Sequence, residues 1–414
     1  MTSENRGLFA RALRIQRLSL CAFCTAALLA MGTLLTSGCA PLGASATGAR
    51  LVRMQNSPEW RDGQFQNTQP IWINLRAAIL RKFDSTPGQT PDAPVSVLQS
   101  DGRQLTVPPA SGLRVTWFGH SSTLIEIDGM TVLTDPLWSE RISPVSWAGP
   151  KRWYPPPIAL NDLPRIDVVV ISHDHYDHLD RGTIVAMKLW KTVFIVPLGV
   201  GADLELWGIP HERIIELDWW QTARIREVDI VSTPARHASG RLSPLSDKTL
   251  WSGFAFIGPH HRAYYSGDTG PLPAIQDIGD RYGPFDITLI EAGQYDTDWP
   301  DSHLGPEQAV ERNRQVRGKV LIPVHWGLVA IAHHAWTEPV ERVLAAARCT
   351  ETTVMTPRPG QSVEPTILPL QPTPIWWPQL AWRSATDRPV IATKNGNPTD
   401  RIAPATCTVV SASS

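Results

Sequence analysis

Cysteine is scarce, with five residues in 414, and this excludes a disulfide-rich scaffold. An excess of charge of either sign is also missing. Lys plus Arg number 38 and Asp plus Glu 39, a formal net charge of −1. Neutralising a phosphate backbone takes clustered basic charge, so no nucleic-acid partner is expected. Outside an N-terminal apolar run, where Cys21 and Cys24 have the spacing, the chain has no Cys-x-x-Cys. Any metal site must therefore use His and carboxylates. Proline and tryptophan are plentiful, at 37 and 17 residues, and they favour strands and loops over long helices. A hydrophobic content of 42% excludes a disordered chain and allows a sizeable core.

The N-terminus carries a targeting pattern. Arg6, Arg11, Arg14 and Arg17 precede an uncharged run at 18–35. That run exceeds a usual signal core of about 7–15 residues and falls just short of the roughly 20 that span a bilayer. Leu35-Thr36-Ser37-Gly38-Cys39 resembles a bacterial lipoprotein signal, although Thr36 stands where an aliphatic residue is usual. Lipidation of Cys39 is the expectation, giving a membrane-anchored lipoprotein that faces the periplasm, with the outer membrane as the expected site. The alternatives are cleavage after Ala44-Ser45-Ala46, giving a soluble periplasmic protein, and an uncleaved anchor. With Cys39 acylated and the apolar run removed, Cys349 and Cys407 remain and could form one disulfide.

Four segments are expected: a signal at 1–39, a linker and N-terminal extension at 40–112, a main domain at 113–363 and a Pro/Trp-rich tail at 364–414. The extension has one plausible helix near 71–83. Pro365, Pro369, Pro372, Pro374 and Pro378 argue against helix in the tail, which either wraps on the domain or lies loose. In the main domain, strands are expected at 113–118, 123–127, 130–134, 167–172, 193–196, 228–233, 251–257, 262–266, 286–290 and 319–324. Asp128-Gly129 and Gly258-Pro259 read as hairpin turns. Helices are expected at 181–190, 272–282, 306–316 and 339–347. Pro306 suits a first-turn position, with Glu307 near the positive end of the helix dipole.

The chemistry centres on His173-Asp174-His175-Tyr176-Asp177-His178. The pattern H-x-H-x-D-H fixes four positions, and a chance match anywhere in this chain is on the order of six in ten thousand. Imidazole and carboxylate at this spacing suit Zn²⁺ or a related divalent ion such as Mn²⁺ or Fe²⁺. The motif directly follows an expected buried strand. His237, Asp268 and His325 each lie just past another strand end, so all could converge on one edge of the sheets.

These motifs, with Gly119-His120, Leu133-Thr134-Asp135-Pro136, Gly149-Pro150-Lys151-Arg152, Val196-Pro197-Leu198-Gly199, Glu216-Leu217-Asp218-Trp219-Trp220, Ser266-Gly267-Asp268-Thr269-Gly270 and Val324-His325-Trp326-Gly327, resemble the metallo-β-lactamase-fold hydrolases. Among those the chain is similar to N-acylphosphatidylethanolamine-hydrolysing phospholipase D and its bacterial lipoprotein relatives. The resemblance spans about 113–363. It implies an αββα sandwich holding two Zn²⁺ between two sheets. His173, His175 and His237 would bind the first ion and Asp177, His178 and His325 the second, with Asp268 bridging both. Two such ions can share a hydroxide and clamp the oxygens of a phosphoryl group, giving Asp177 and Asp268 catalytic as well as ligand roles. Asp135 suits the task of accepting an N–H from a ligating imidazole. The family has a histidine at His303 that contacts the substrate phosphate.

A lipid or small-molecule phosphodiester is the expected substrate. A lactonase or other ester hydrolase is the alternative on the same fold, and a non-enzymatic zinc-binding lipoprotein a third reading. His120 is a weaker site candidate, with a structural role at least as fitting. His260, His261, His333 and His334 are expected to be solvated. Tyr176 and Trp326 could line the cleft, although core packing is the commoner fate. Glu291 places an acid beside the cleft where the resemblance suggests an uncharged residue.

Overall fold

The 40–112 segment does not run free before the first long strand. A computed structural model describes residues 40–81, 84–241, 243–370 and 373–403. Cys39, Cys21, Cys24 and Cys407 lie outside the described residues. In the extension, α1 (Gly48–Gln55), a small hairpin of β1 (Trp60–Arg61) and β2 (Gln64–Phe65), and α2 (Leu75–Leu80) pack against the main domain. Arg50 ties α1 down through ion pairs with Glu205 at 2.8 Å and Glu216 at 2.7 Å. The Ala40 carbonyl accepts the Trp207 indole N–H at 2.8 Å, and the Ala44 N–H donates to Asp203 at 2.6 Å. Thus Ala40, Ala44 and Arg50 are docked on the main domain.

The first sheet is built from β3 (Leu113–Gly119), β4 (Ser122–Ile127), β5 (Met130–Thr134), β6 (Val168–Val170), β7 (Val193–Pro197) and β8 (Ile214–Leu217). The second takes β9 (Thr222–Ile225), β10 (Val228–Thr233), β11 (Gly253–Ile257), β12 (Arg262–Tyr265), β13 (Ile287–Glu291), β14 (Val320–Val324) and β15 (Thr353–Val354). Finally β16 (Ser362–Val363) returns to pair with β3, so each sheet has seven strands. Both begin antiparallel and turn parallel, at β5–β6 and at β12–β13. The hairpin expected at Asp128-Gly129 forms with both residues at positive φ, 47° and 78°, the backbone that a two-residue turn requires.

Alternation sorts the side chains into layers. Val168 and Val170 join the cluster between the sheets, with Phe254, Leu289 and Ile322. Val169 points outward to Ile184 and Leu204, carried by α3 (Arg181–Ala186) and α4 (Gly201–Leu206). On the far side α5 (Ala274–Tyr282), α6 (Pro306–Gln315) and α7 (Glu338–Thr350) cover the second sheet through Ile278, Val310 and Val343. The architecture is an αββα sandwich. The tail residues Trp376 and Trp377 pack on the inter-sheet cluster, where Trp376 stacks on Trp326 at 5.4 Å and 24°. Part of the tryptophan excess is thereby core. Cys349, on α7, is disulfide-bonded.

Several expectations change. α3 stops at Ala186 rather than near 190, and β8, β9 and α4 join the set. These three are short, from four to six residues, below the length at which periodicity is readable. His333 and His334 are buried rather than solvated. His333 sits between Asp296 at 2.9 Å and the Arg81 carbonyl at 2.8 Å, while the His334 Nε2 accepts the Gln294 N–H at 3.0 Å. His260 is exposed, whereas His261 is half-buried on Asp128 at 2.6 Å.

Candidate metal centre

Parallel strands deliver their C-terminal ends to one edge, and open α/β sheets place their sites there. β5 ends beside Asp135, β6 precedes the H-x-H-x-D-H loop, and β10, β12 and β14 precede His237, Asp268 and His325. The loop is held by its own non-ligand residues. Asp174 accepts the Gly240 N–H at 2.6 Å, and Arg241 donates to the carbonyls of Asp174 at 2.9 Å and Leu179 at 2.8 Å. The loop carrying His173–His178 is thus fastened to the loop carrying His237. Behind His237 the Arg236 guanidinium pairs with Asp301 at 3.1 Å. A Cβ on Gly270 would lie 1.7 Å from the Asp301 carbonyl oxygen, so only glycine permits that approach.

The structure brings together all seven residues assigned to metal by sequence. Nε2 of His173, Nδ1 of His175 and Nε2 of His237 form one triad, with separations of 2.9 Å for His173–His175 and 3.3 Å for His175–His237. Nε2 of His178, Nε2 of His325 and Oδ2 of Asp177 form a second, at 3.3 Å for each pair. Oδ2 of Asp268 lies between the triads. It is 3.0 Å from His178, 3.2 Å from His325, 3.8 Å from His237 and 3.9 Å from His173. Oδ1 of Asp268 is buried with no hydrogen-bond partner among the described residues.

The outward nitrogens determine where the ring hydrogens sit. His178 Nδ1 meets the Asp135 carboxylate at 2.6 Å, His237 Nδ1 the Ser302 carbonyl at 2.8 Å, His325 Nδ1 the Gly293 carbonyl at 3.3 Å, and His175 Nε2 the Pro244 carbonyl at 3.0 Å. These partners only accept, so each outward nitrogen carries a hydrogen, and each ring in its neutral form turns a lone pair inward. Inward lone pairs such as those of His178 and His325 then face each other without a hydrogen between them. A cation resolves that repulsion, and the buried, unsatisfied Asp268 oxygen suits the same charge. The donor set fits divalent metal ions.

Electrostatics agree. Burial pushes Asp268 and Asp177 up, but the surrounding imidazoles, His178 foremost, hold both carboxyls well below the usual range. Burial lowers His173 and His237 well below the ordinary imidazole value. Burial also acts to lower His178, yet the charges of Asp268 and Asp177 outweigh it and carry the ring well above, so this acid pair draws positive charge to the place where the donor atoms meet.

Asp135 accepts from His178, from the Ser172 N–H at 2.7 Å and from the Tyr265 hydroxyl. Burial and the Asp135 charge keep that phenol well above its usual pKa. Ser172 and Tyr265 were not singled out from sequence. Their signal was available in principle, because both flank motif residues at strand ends. His303 lies beside the cluster, with Nδ1 3.8 Å from Asp268 and 2.8 Å from Glu291. His120 is fully buried, and its Nε2 is 2.9 Å from Asp177. Trp326 is core, whereas Tyr176 is half-buried with its hydroxyl donating to the Arg241 carbonyl at 3.0 Å.

Such a sandwich, with metal-fitting His and Asp at the strand ends, defines the metallo-β-lactamase superfamily, and the chain belongs to it as a metal-dependent hydrolase. The β-lactamase superfamily domain matches residues 130–326. The chain is 47% identical to the uncharacterized protein Rv0906 of Mycobacterium tuberculosis over 348 residues, covering 82% of this chain and 92% of that protein. It resembles N-acyl-phosphatidylethanolamine-hydrolyzing phospholipase D 1 of Caenorhabditis elegans, at 38% identity over 229 residues, or 52% of this chain and 64% of that one. Among solved structures, the metallo hydrolase Igni18 of Ignicoccus hospitalis aligns with TM-score 0.47 and 24% identity, covering 61% of this chain and 97% of that one.

Proposed function

We propose that the protein is a binuclear zinc phosphodiesterase of phospholipase D type, acting on N-acylphosphatidylethanolamine-like lipids. The observation that carries this reading is the position of Asp268 between two imidazole-bearing triads, with His303 beside them. In this reading His173, His175 and His237 hold one ion, Asp177, His178 and His325 the other, and Asp268 both. Two bound cations would supply Lewis acidity to the phosphoryl oxygens and a nucleophile from water at neutral pH. The chain's own groups do the rest. Asp135 holds the His178 ring in the orientation that directs Nε2 inward. Asp177 and Asp268 keep the negative charge that offsets the cations. His303 meets a non-bridging phosphoryl oxygen as charge develops there. The water oxygen forms the new P–O bond, the P–O bond to the N-acylethanolamine breaks, and the water proton ends on that alcohol.

The same reading places the protein at a membrane through lipidated Cys39, exported and facing the periplasm. The docking of Ala40 and Ala44 to Trp207 and Asp203 supports an anchor held close to the H-x-H-x-D-H loop, because Pro41 also accepts from Tyr176 at 3.3 Å. Mass spectrometry of the mature N-terminus tests the anchor. For activity, wild type and His303→Ala are assayed on N-acylphosphatidylethanolamine, a soluble phosphodiester and a lactone. Loss of one preorganised donor costs about 10²–10³ in rate, and the loss is expected for the phosphodiesters. Turnover of the lactone alone, unchanged in the variant, replaces the phospholipase reading with an ester hydrolase.

A further inference from the structure

Glu291 ends β13 with no solvent exposure. Its two oxygens are held differently. Oε1 accepts the N–H groups of Thr269 and Leu304, at 2.5 and 3.2 Å. Oε2 faces Nδ1 of His303 at 2.8 Å. The backbone amides pin Oε1, so the carboxyl cannot rotate and Oε2 stays opposite the ring. His303 also lies parallel to His325, at 5.1 Å and 11°, and edge-on to His237, at 5.0 Å and 70°. Its side chain is 14% exposed, and its Nε2 makes no hydrogen bond among the described residues.

We propose that Glu291 is a positioning residue. Its hydrogen bond to Nδ1 fixes the His303 ring so that Nε2 is presented to the incoming substrate. A histidine at the end of a loop has two free torsions, and stacking alone leaves the ring free to turn over and exchange its nitrogens. One hydrogen bond at Nδ1 removes that freedom, whichever partner carries the shared hydrogen. The proposal rests on the phosphodiesterase reading only in taking His303 to meet the substrate.

The test uses the metal-loaded, full-length protein and two variants. Glu291→Gln keeps an oxygen for the two amides and a hydrogen-bonding group opposite Nδ1. Glu291→Met keeps neither. Glu291→Met is expected to lower phosphodiester kcat/KM by about 10–100-fold, the usual range for a residue that orients another at a metal site. Glu291→Gln should restore most of that loss, and both should keep wild-type metal content. In a His303→Ala background, Glu291→Met should change turnover by less than about twofold, because its effect passes through the missing ring. An equal loss in both backgrounds overturns the proposal. So does loss of metal, which would mean that Glu291 acts through His325, whose Nδ1 is 3.4 Å away.

A second readout needs neither substrate nor the Met variant. In histidine ¹⁵N spectra, the His303 Nδ1 signal, assigned by its loss in His303→Ala, should be hydrogen-bonded in wild type and in Glu291→Gln. A ring averaging between tautomers in wild type overturns the proposal, whatever the substrate proves to be.

Discussion

Nε2 of His120 lies 2.9 Å from the carboxylate of Asp177, and the same residue is bound through its backbone to the second sheet. The His120 N–H donates to the Trp326 carbonyl at 3.0 Å, and the His325 N–H donates to the His120 carbonyl at 2.9 Å. Both His120 and His325 take positive φ, 52° and 67°, a backbone that bulky residues adopt at a cost. One residue at the β3–β4 turn therefore sets the distance between Asp177, on the loop after β6, and His325, just past the end of β14.

His120→Ala should accordingly weaken the second cation by about 10–100-fold, the range for residues that orient ligands. The site of His173, His175 and His237 should keep its affinity. Metal titration of the purified variant, with one tight and one weakened ion, checks this. Two ions bound with wild-type affinity would mean that Asp177 is held by its loop alone.

Asp135→Asn tests the other orienting carboxylate. Asp135 takes hydrogen bonds from His178, Ser172 and Tyr265, and an amide must turn a donor toward at least one of them. An affinity loss of about 10–100-fold is expected, with a lower melting temperature. Asp268→Ala should be more damaging, since its Oδ2 faces both triads. Metal analysis and melting of the two variants, with a chelator-treated control that also melts lower, decide the order.

How far the sequence led depended on distance along the chain. The H-x-H-x-D-H motif and the strand preceding it are adjacent, so both the residue types and their place at a strand end are readable. The hairpin at Asp128-Gly129 is equally local. His333 reads as solvated from sequence because its partners, Asp296 and Arg81, are 37 and 252 residues away. A polar residue looks solvated until such partners arrive. His120 and Glu291 have the same character, since each gains its meaning from a loop on another strand. The docking of the 40–112 segment rests on Arg50 reaching residues some 155 to 166 positions on, which no local pattern signals.

Trp377 shows what the tail contributes. It is 4% exposed, lies edge-on to Trp326 at 5.7 Å and donates its indole N–H to Glu341 at 2.8 Å. Trp377→Ala should destabilise the fold by about 3–5 kcal/mol, as for other large buried aromatics. Trp147 is 80% exposed, and Trp147→Ala should stay within about 0.5 kcal/mol of wild type. Denaturant unfolding of the two variants tests the contrast, and equal stability would mean that the tail packs without contributing.

The last prediction concerns pH. Asp203, on α4, is 2% exposed, and burial, helped by the charge of Asp174, raises its pKa to about 7 against the opposing pull of Arg241 and the Ala44 N–H. An unfolded aspartate titrates near 3.9. Between these values the native state holds a proton that the unfolded state has released, so stability falls as pH rises. The contribution is fully present below about pH 4 and is lost as pH passes through about 7. Asp203→Asn imitates the protonated form and keeps an acceptor for the Ala44 N–H. It should already be more stable than wild type at pH 5, and its advantage should widen by about 1 kcal/mol or more between pH 5 and pH 8, which is a further rise of roughly 2 °C in Tm relative to wild type. Metal affinity also changes with pH. The comparison is therefore made between the two proteins at each pH under saturating metal, where that change cancels. A variant no more stable than wild type at pH 8 would mean that burial does not raise the Asp203 carboxyl in the native protein.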